Sequence, residues 1–379
     1  MELSLDQISF QKHLGPKFVD KSGIISFLNK SMENADRYYC FIRPRRFGKT
    51  YTSHMLQAYY SDQGDSHALF DSLNIAKDPS YQKHINQYST IFLTISDYVR
   101  HDDQNGESFM QDLVKDLMRK LCQKLPKEFQ EQASTQVNIN DLLRFICYNI
   151  PSKFVFIIDE YDFVFRHFEN NEKVQEQYIM LLTLLFKSSF GTSNVALAYM
   201  TGILPIKRYN NQSYLNNFRE VSMINTYGLG KYFGFTEDEV KKLCVDYDLD
   251  FEKTKEWYDG YHIYDIDIYN PYAIIGLTTS KKFGSIWSNS GCRDIIERLL
   301  NKGFQGLKTD LSKLLLGEKI IFEPAHESFN AVYNLDSKQA IFTYLIYLGY
   351  LALTEDEVLY IPTKDVKQEL DSIMKRCDF

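Results

Sequence analysis

Apolar runs of strand length alternate with segments of helical spacing through the first half of the chain. The predicted strands are rich in β-branched and aromatic residues and cover 38–42, 90–95, 154–158 and 195–200. The predicted helices carry apolar residues three or four positions apart and cover 24–28, 50–60, 107–124, 141–148 and 174–188. Such alternation is typical of a parallel sheet with helices on its faces, so we predict an α/β fold.

The alternation stops near residue 225, and a different pattern follows. Thr236 and Glu239 form a Thr-x-x-Glu capping box, which predicts the start of a helix. The aromatic segments 257–261 and 269–272 are interpreted as turns that are anchored in a core. We predict a helical, lid-like subdomain in this part of the chain.

The C-terminal stretch combines two helical patterns with a hairpin between them. We predict a helix at 338–348 that ends at Gly349, a hairpin of 350–353 with 358–361, and a helix at 364–376. This order is typical of a winged-helix-like module. The predicted parts are a nucleotide-binding core at 1–225, the lid-like subdomain at 226–330 and the winged-helix-like module at 331–379.

Gly48, Lys49 and Thr50 stand where the first predicted strand passes into a helix. In a P-loop, G-x-x-x-x-G-K-[ST], backbone N–H groups surround the phosphates, the lysine reaches the β and γ phosphates, and the hydroxyl ligates Mg²⁺. Arg43 occupies the position of the first glycine, so the motif is incomplete. By itself the tripeptide is equally compatible with a turn that carries a solvated lysine.

Distant parts of the chain support the phosphate-binding interpretation. Asp159 and Glu160 follow a near-continuous apolar run, and Thr201 follows the next predicted strand. In open α/β sheets ligands bind beyond the carboxyl ends of the strands, where all of these residues and the Gly48–Thr50 corner fall. The sequence therefore predicts a P-loop NTPase with a parallel sheet flanked by helices.

The phosphoryl-transfer template assigns a role to each of these residues. Lys49 neutralises the β and γ phosphates, Thr50 and Asp159 hold Mg²⁺, and Glu160 orients the attacking water. Thr201 is a candidate sensor of the γ phosphate, and the alternative that its hydroxyl only caps the strand is equally supported. The candidate catalytic residues are Lys49, Glu160 and Thr201.

Arg43, Arg45 and Arg46 add three positive charges beside the predicted site. They are able to contact phosphate, to pair with acidic residues, or to reach a neighbouring subunit as an arginine finger. The sequence does not choose among these alternatives.

Composition excludes several classes of function. The net charge of −7 and a pI near 5.7 argue against a surface that coats nucleic acid, although a local basic patch is compatible with them. The six cysteines form no C-x-x-C pair, the chain starts without a signal-like segment, and no apolar run approaches membrane-spanning length. Motifs for zinc ligation and for a G-x-S-x-G serine nucleophile are absent. We expect a cytoplasmic protein with reduced thiols.

At the level of motifs, the chain resembles the bacterial and archaeal AAA-ATPase-like family, whose members often carry a C-terminal PD-(D/E)XK nuclease-like domain. The matching blocks lie in the family's order at 18–22, 43–50, 158–162, 201–206, 215–218, 234–237, 257–261, 269–271 and 348–351. An arginine is common in that family at the position of Arg43. The resemblance implies that Lys49 and Thr50 bind the nucleotide and that Asp159 and Glu160 are the second acidic motif.

The nucleotide-binding set that we assign is drawn from the matching blocks 18–22 and 43–50 together with the residue that follows the second block. It comprises Asp20, Arg43, Pro44, Arg45, Arg46, Phe47, Gly48, Lys49, Thr50 and Tyr51. Tyr214 and the segment 264–268 depart from the family's pattern. The nearest match to a nuclease motif, Asp336-Ser337-Lys338, precedes a predicted helix and does not end a strand. We therefore expect the nuclease-like domain and nuclease activity to be absent.

Two functions remain after these steps. The first is a Mg²⁺-dependent ATPase that hydrolyses ATP slowly and couples it to a protein partner or a homo-oligomer. The alternative is a non-hydrolysing, nucleotide-gated or structural module that engages a protein or a nucleic acid. The intact Lys49, Thr50, Asp159 and Glu160 favour the first, and the acidic charge gives nucleic-acid binding no support.

Overall fold

The computed structural model describes residues 4–32, 34–100, 103, 105–208, 214–263, 266–285, 293–325 and 330–377. Cys292 and the start of the unusual segment 264–268 lie outside the described residues. The other five cysteines are all free thiols. By their internal contacts the residues fall into two units. Unit 1 consists of Met1–Phe41, Lys49–Gly202 and Ile206–Glu220, and unit 2 consists of Ile42–Gly48, Ile203–Pro205 and Val221–Phe379.

A five-stranded sheet is the framework of the first half of the chain. Its strands are β1 (Tyr38–Ile42), β2 (Ser89–Thr94), β3 (Phe154–Asp159), β4 (Val195–Gly202) and β5 (Arg219–Val221). They lie in the order β2-β3-β4-β1-β5, and β3 pairs in parallel with both β2 and β4. Every residue of β1, β3 and β4 is buried, as expected of central strands that are covered on both faces. The predicted α/β class is confirmed.

Helices accompany the strands of this sheet. They are α1 (Leu5–Gln11), α2 (Gly23–Asn29), α3 (Lys49–Tyr60), α4 (His67–Phe70), α5 (Tyr81–His84), α6 (Glu107–Gln123), α7 (Lys127–Ser134), α8 (Ile139–Asn149), α9 (Phe163–His167), α10 (Glu172–Lys187) and α11 (Ser189–Asn194). The five predicted helices are present within one or two residues of their expected bounds. The others are short, and α7 buries a single residue, Ala133, so their apolar pattern is too weak to detect.

Unit 2 contains two small antiparallel sheets. The strands are β6 (Phe235–Thr236), β7 (Tyr261–Ile263), β8 (Ile266–Tyr269), β9 (Ile320–Ile321), β10 (Ala352–Leu353) and β11 (Val358–Tyr360). They form one sheet in the order β6-β8-β7 and another in the order β10-β11-β9. The first sheet lies in a region that was predicted to be helical. Its strands were not predicted because strands of two to four residues are too short to show a period of two.

The helices of unit 2 are α12 (Glu237–Asp246), α13 (Phe251–Tyr258), α14 (Pro271–Ser280), α15 (Arg293–Leu300), α16 (Leu307–Leu315), α17 (Ala331–Asn334), α18 (Lys338–Leu348) and α19 (Lys364–Met374). Three of them, α12, α18 and α19, were predicted from the sequence. The capping box of Thr236 and Glu239 is formed at the start of α12. Gly349 ends α18 in a left-handed conformation, with φ of 85°. The three-part division of the chain stays a prediction.

The C-terminal elements have the predicted order of helix, hairpin and helix. The turn between β10 and β11 carries the exposed acidic residues Glu355, Asp356 and Glu357. Helix α18 is buried along almost its whole length, and Gln339 is the one exposed residue in it. Ser337 caps α18, so Asp336-Ser337-Lys338 precedes a helix as expected.

The aromatic segments of unit 2 anchor loops in its core, which confirms their structural interpretation. Tyr261 is buried, and its hydroxyl donates to the carbonyl oxygen of Gly349 at 2.6 Å. Gly260 has φ of 141°, and a Cβ there would lie 1.6 Å from the carbonyl oxygen of Pro362. Only glycine fits this position. No helix within the described ranges has both the length and the apolar character needed to cross a bilayer.

Candidate nucleotide-binding site

The carboxyl ends of three neighbouring strands are aligned side by side. Asp159, the last residue of β3, is paired in register with Thr94 on β2 and with Thr201 on β4. Helix α3 packs on β3 and starts at Lys49. The structure therefore brings Lys49, Asp159 and Thr201 to one edge of the sheet, as the sequence predicted.

Asp159 is the most deeply placed carboxylate at this edge. Its side chain is 1% exposed, and Oδ1 accepts a hydrogen bond from the backbone N–H of Glu160 at 3.0 Å. Oδ2 is buried and has no hydrogen-bond partner among the described residues. Burial raises the pKa of Asp159 to about 6, although a hydrogen bond from Thr50 and the charge of Lys49 act in the opposite direction.

Lys49 and Thr50 occupy the first two positions of α3. Burial lowers the pKa of Lys49 to about 8, against the opposing influence of Asp159, Asp162 and Glu160. The charges of three carboxylates thus favour the ammonium form of Lys49. Thr50 is exposed, and its hydroxyl hydrogen-bonds to the carboxylate of Asp159, which is the group that carries the unpartnered Oδ2.

Glu160 has a strained backbone. Its φ is 54°, which is uncommon for any residue other than glycine and carries an energetic cost. The turn is held by hydrogen bonds from Tyr161 N–H to the Thr201 carbonyl at 3.0 Å and from Phe163 N–H to the Glu160 carbonyl at 2.9 Å. Non-glycine residues in this conformation are concentrated at functional sites, so the strain supports a functional role for Glu160.

Thr201 is fully buried, and its hydroxyl already has a partner. Oγ1 donates to the carbonyl oxygen of Phe41 on β1 at 3.1 Å. This bond is the strand-capping role that the sequence left open as the alternative. A role for Thr201 as a sensor of the γ phosphate stays a prediction.

Arg43 occupies the position of the first P-loop glycine and is fully buried in unit 2. Its Nη1 donates to the carbonyl oxygens of Ile42 at 3.0 Å and Val221 at 3.3 Å. The guanidinium carbon also lies 5.4 Å from the centre of the Phe233 ring. Of the alternatives for the three arginines, a finger that reaches another subunit is therefore incompatible with Arg43 in this position.

The rest of the loop contributes side chains to unit 2 as well. The Arg46 guanidinium lies 4.0 Å from the ring centre of Tyr272, and the Phe47 ring meets the Tyr261 ring edge to face at 5.2 Å. Phe47 is 1% exposed and belongs to the hydrophobic core of unit 2. Pro44 is buried, and Arg45 is half-buried. Gly48 has φ of 88°, and a Cβ there would meet nothing within 4 Å, so glycine is required by conformation and not by space.

Tyr51 and Asp20, the outlying members of the assigned set, lie near each other in unit 1. The Tyr51 ring contacts the rings of Phe10, His13 and Phe18, with centre distances of 5.9, 5.1 and 6.0 Å. Burial and then the charge of Asp20 raise the pKa of Tyr51. Asp20 itself accepts backbone hydrogen bonds from Ser22 at 2.8 Å and Asn74 at 2.7 Å, so it orders the segment before α2.

Asp162 and Arg166 are site residues that sequence reasoning missed. Asp162 is fully buried, and its Oδ2 lies 2.9 Å from Nε of Arg166, one turn further on. Both charges influence the pKa of Lys49. Gly202 leaves room for this pair, because a Cβ there would lie 2.6 Å from Oδ1 of Asp162. The signal for Asp162 was that it is the third acidic residue of the segment Asp159-Glu160-Tyr161-Asp162.

We expect Asp162→Asn to lower the free energy of unfolding by about 3 kcal/mol, because it leaves the partly buried Arg166 without its counter-charge. Chemical denaturation followed by circular dichroism measures the change. The matched control is Asp36→Asn, which breaks the exposed pair of Asp36 with Arg219 at 3.1 Å and should cost only about 0–1 kcal/mol. Equal effects of the two substitutions would contradict the structural role of Asp162.

A second group of carboxylates and histidine lies in unit 2. Ligand atoms of Asp259, His262 and Asp267 lie within 4.8 Å of one another. Nδ1 of His262 is hydrogen-bonded to Oδ1 of Asp267, and burial followed by the charge of Asp267 raises the pKa of Asp259. Sequence spacing did not reveal this group, because β7 and β8 bring it together. The hydrogen bond between His262 and Asp267 explains why these two side chains lie close together.

The residues at the edge of the sheet fit Mg²⁺. Mg²⁺ prefers oxygen ligands and is commonly held by one or two protein oxygens together with substrate phosphates and water. The buried, unpartnered Oδ2 of Asp159 and the adjacent hydroxyl of Thr50 offer these ligands. An orphaned carboxylate oxygen at 1% exposure is costly unless a cation or donor satisfies it.

The strand, the loop that ends in Gly48-Lys49-Thr50, and the acidic end of β3 define a protein of the P-loop nucleotide-binding class. The family model described as "Predicted AAA-ATPase" matches residues 9–210. The chain belongs to this AAA-ATPase-like family, and the resemblance found from its motifs is confirmed.

Individual relatives are distant. A protein from Azotobacter chroococcum mcd 1, described as an uncharacterized protein in the vnfD 5′ region, is 22% identical over 291 residues, which are 75% of this chain and 52% of that protein. The chain thus spans about half the length of this relative.

Two solved structures align with most of the chain at low similarity. A DNA replication initiation factor has 11% identity and a TM-score of 0.29, covering 94% of this chain and 82% of that chain. PCH-2 of C. elegans has 13% identity and a TM-score of 0.26, covering 93% and 67%. Similarity at this level carries no functional conclusion.

Proposed function

We propose that the chain is a Mg²⁺-dependent ATPase that hydrolyses ATP slowly and couples nucleotide binding to a protein partner or an oligomer. The observation that carries this proposal is the buried Asp159 carboxylate, whose Oδ2 lacks a partner and which is adjacent to the Thr50 hydroxyl and the Lys49 ammonium. This set supplies a cation site and a phosphate counter-charge at the start of one helix. Membership of the AAA-ATPase-like family supports ATP as the nucleotide.

The residues would divide the work as in other phosphoryl-transfer sites. Lys49 compensates charge on the β and γ oxygens, while the backbone N–H groups at the start of α3 point toward the phosphates. A bound Mg²⁺ would supply further charge neutralisation, held by Asp159 and Thr50. Glu160 accepts a hydrogen bond from the attacking water and orients it. Most of the catalysis is therefore positioning and electrostatics.

The alternative, a nucleotide-gated module without turnover, is favoured by one observation. The hydroxyl of Thr201 donates to Phe41, and the guanidinium of Arg43 donates to backbone carbonyls, so the candidate γ-phosphate sensor and one of the three arginines beside the site have partners within the protein. Such a protein would bind ATP and release no phosphate.

Two measurements separate the two functions. The first is calorimetric titration of ATP in the presence of either Mg²⁺ or EDTA, and the second is phosphate release under the same conditions. The proposal expects binding that Mg²⁺ strengthens and slow phosphate release that EDTA stops. Mass in solution with and without ATP tests the coupling, because a switch to an oligomer changes the mass. Binding without release supports the nucleotide-gated alternative, and the absence of ATP binding contradicts the ATPase and leaves only the structural form of the alternative.

ATP affinity should fall as the pH rises through about 8. The pKa of Lys49 is lowered to about 8, so its ammonium is lost above this pH, whereas phosphate binding favours the charged form. We expect the affinity to fall by up to about tenfold per pH unit above pH 8. The control is Lys49→Arg, whose guanidinium stays charged and should give a flat alkaline limb. Parallel pH profiles of the two proteins would contradict the role of Lys49.

The Mg²⁺-dependent part of ATP binding should be lost as the pH falls through about 6. Asp159 has a pKa raised to about 6, so its carboxylate becomes protonated below that pH and no longer ligates a cation. The difference between titrations with Mg²⁺ and with EDTA isolates this contribution. In Asp159→Asn the difference should be small at every pH, and a wild-type difference that persists at pH 5 would contradict the assignment.

A further inference from the structure

An open apolar groove lies on unit 1. Helices α6 and α10 form its two walls, and the start of α8 also lines it. Its volume is about 1170 Å³. This is more space than a small cofactor needs, and it is shaped as a seam between two helices.

Helix α6 carries two apolar stripes, and only one is used by the core. Phe109, Leu113, Leu117 and Leu121 are buried in the interior. A second stripe of Met110, Val114 and Met118 faces the groove and is only partly buried. A surface helix of a globular protein normally has a single apolar stripe, so the second stripe calls for another partner.

Helix α10 repeats the arrangement on the opposite side. Gln177, Met180, Leu184 and Lys187 line the groove at intervals of three to four residues. Met180 is 55% exposed, and Val137 at the end of the groove is 90% exposed. Methionine-rich apolar grooves adapt to the side chains of a docked helix.

The length of the groove matches a short helix. Its lining runs from Met110 to Met118 on α6 and from Gln177 to Ser188 at the end of α10. At 1.5 Å per residue these stretches span about 12 and 17 Å, which corresponds to about two and three helical turns.

The lining is positively charged on an acidic protein. It contains Lys115 and Lys187 and no carboxylate among the described residues, while the whole chain has a net charge of −7. The acidic residues of α6 next to the groove are engaged elsewhere: Asp112 pairs with Arg100, and Asp116 pairs with Arg119 and Lys120. A partner with acidic residues at the edges of its apolar face is electrostatically complementary.

We propose that this groove docks an amphipathic α-helix of a partner protein whose apolar face is flanked by Asp and Glu. The apolar residues of the helix fill the seam between α6 and α10, and its carboxylates face Lys115 and Lys187. The inference stands on the groove alone and does not depend on ATP hydrolysis.

The test uses fluorescent amphipathic peptides and the full chain. A panel with Leu, Ile or Phe on the apolar face is made with Glu flanks, with Lys flanks, and as scrambled sequences that keep the composition but lose the apolar face. Fluorescence anisotropy measures the affinities. We expect the Glu-flanked peptides to bind, and the Lys-flanked and scrambled peptides to bind at least about tenfold more weakly.

Two substitutions locate the binding. Met180→Glu places a charge in the centre of the groove and should weaken the Glu-flanked peptides by about tenfold or more. Lys115→Glu should reverse the preference between Glu-flanked and Lys-flanked peptides. The control is Tyr148→Glu, an exposed aromatic position on α8 outside the lining that is 85% exposed against 55% for Met180, and it should leave the affinities unchanged. Circular dichroism melting confirms that each variant is folded.

Several results would overturn the proposal. These are no binding by the Glu-flanked peptides, equal binding by all peptides, or full affinity in folded Met180→Glu. The proposal is also overturned if the wild-type protein is a dimer without peptide and the Met180→Glu variant is a monomer, because a second copy of the chain would then cover the groove.

Discussion

Lys49→Ala should weaken ATP binding and slow phosphate release together. Lys49 is the ammonium group among Asp159, Glu160 and Asp162, and its removal leaves these carboxylates to face the phosphates uncompensated. A hydrogen bond to a charged group contributes about 1.5–3 kcal/mol, so the affinity should fall by about 10- to 100-fold from the lost contact alone. Calorimetric titration and phosphate release measure both effects.

The stability of Lys49→Ala distinguishes a binding defect from a folding defect. The pKa of Lys49 is lowered by burial, which means that folding disfavours its charged form at neutral pH. Replacement by alanine should therefore leave the free energy of unfolding unchanged or slightly higher. Lys153→Ala is the matched control, because Lys153 is a lysine at the opposite end of β3 that donates to the Ser193 carbonyl at 2.8 Å. A folded Lys49→Ala protein that binds ATP normally would contradict the proposed function.

Glu160→Gln should keep ATP binding and stop turnover. Glutamine has nearly the same shape as glutamate but cannot act as a base for the attacking water. General-base groups contribute about 10²–10⁴-fold, so kcat should fall by at least about 100-fold while the affinity for ATP stays within a few-fold of wild type. Single-turnover phosphate release, with titration of the same sample, measures the two quantities. Glu176→Gln, an exposed glutamate on α10, is the control.

The strained backbone of Glu160 allows a sharper comparison. Glu160→Gly removes the carboxylate and also relieves the cost of φ at 54°, so it should raise the free energy of unfolding by about 1 kcal/mol while activity is lost. Glu160→Gln keeps the strain and loses the activity. If either variant retained wild-type turnover, Glu160 would not be the residue that orients the water.

Several parts of the fold were predictable because a single local pattern dominates them. The fully buried strand β1 and the first five residues of β3 form uninterrupted apolar runs in the sequence. Helix α18 was predicted with its observed bounds, because Ser337 caps its start and Gly349 ends it. The Gly48-Lys49-Thr50 corner and Asp159-Glu160 were found from composition and position in the same way.

The rest depends on contacts between residues that are far apart in the chain. Nothing local to Arg43 indicates that its guanidinium donates to a carbonyl 178 residues away, at Val221. The bond from Thr201 to Phe41 and the burial of Asp162 beside Arg166 likewise follow from the packing of the sheet. The sequence could name the candidates at the site, but it could not tell which side chains the fold had already engaged.

The burial of α18 has a consequence for nucleic-acid binding. A helix that contacts base edges must insert a polar face into a major groove about 12 Å wide. Helix α18 has no such face, because nearly all of its side chains are buried in unit 2. The turn between β10 and β11 would in addition bring Glu355, Asp356 and Glu357 toward the phosphate backbone. We therefore expect the affinity of α18 and this turn for duplex DNA to be negligible at physiological salt.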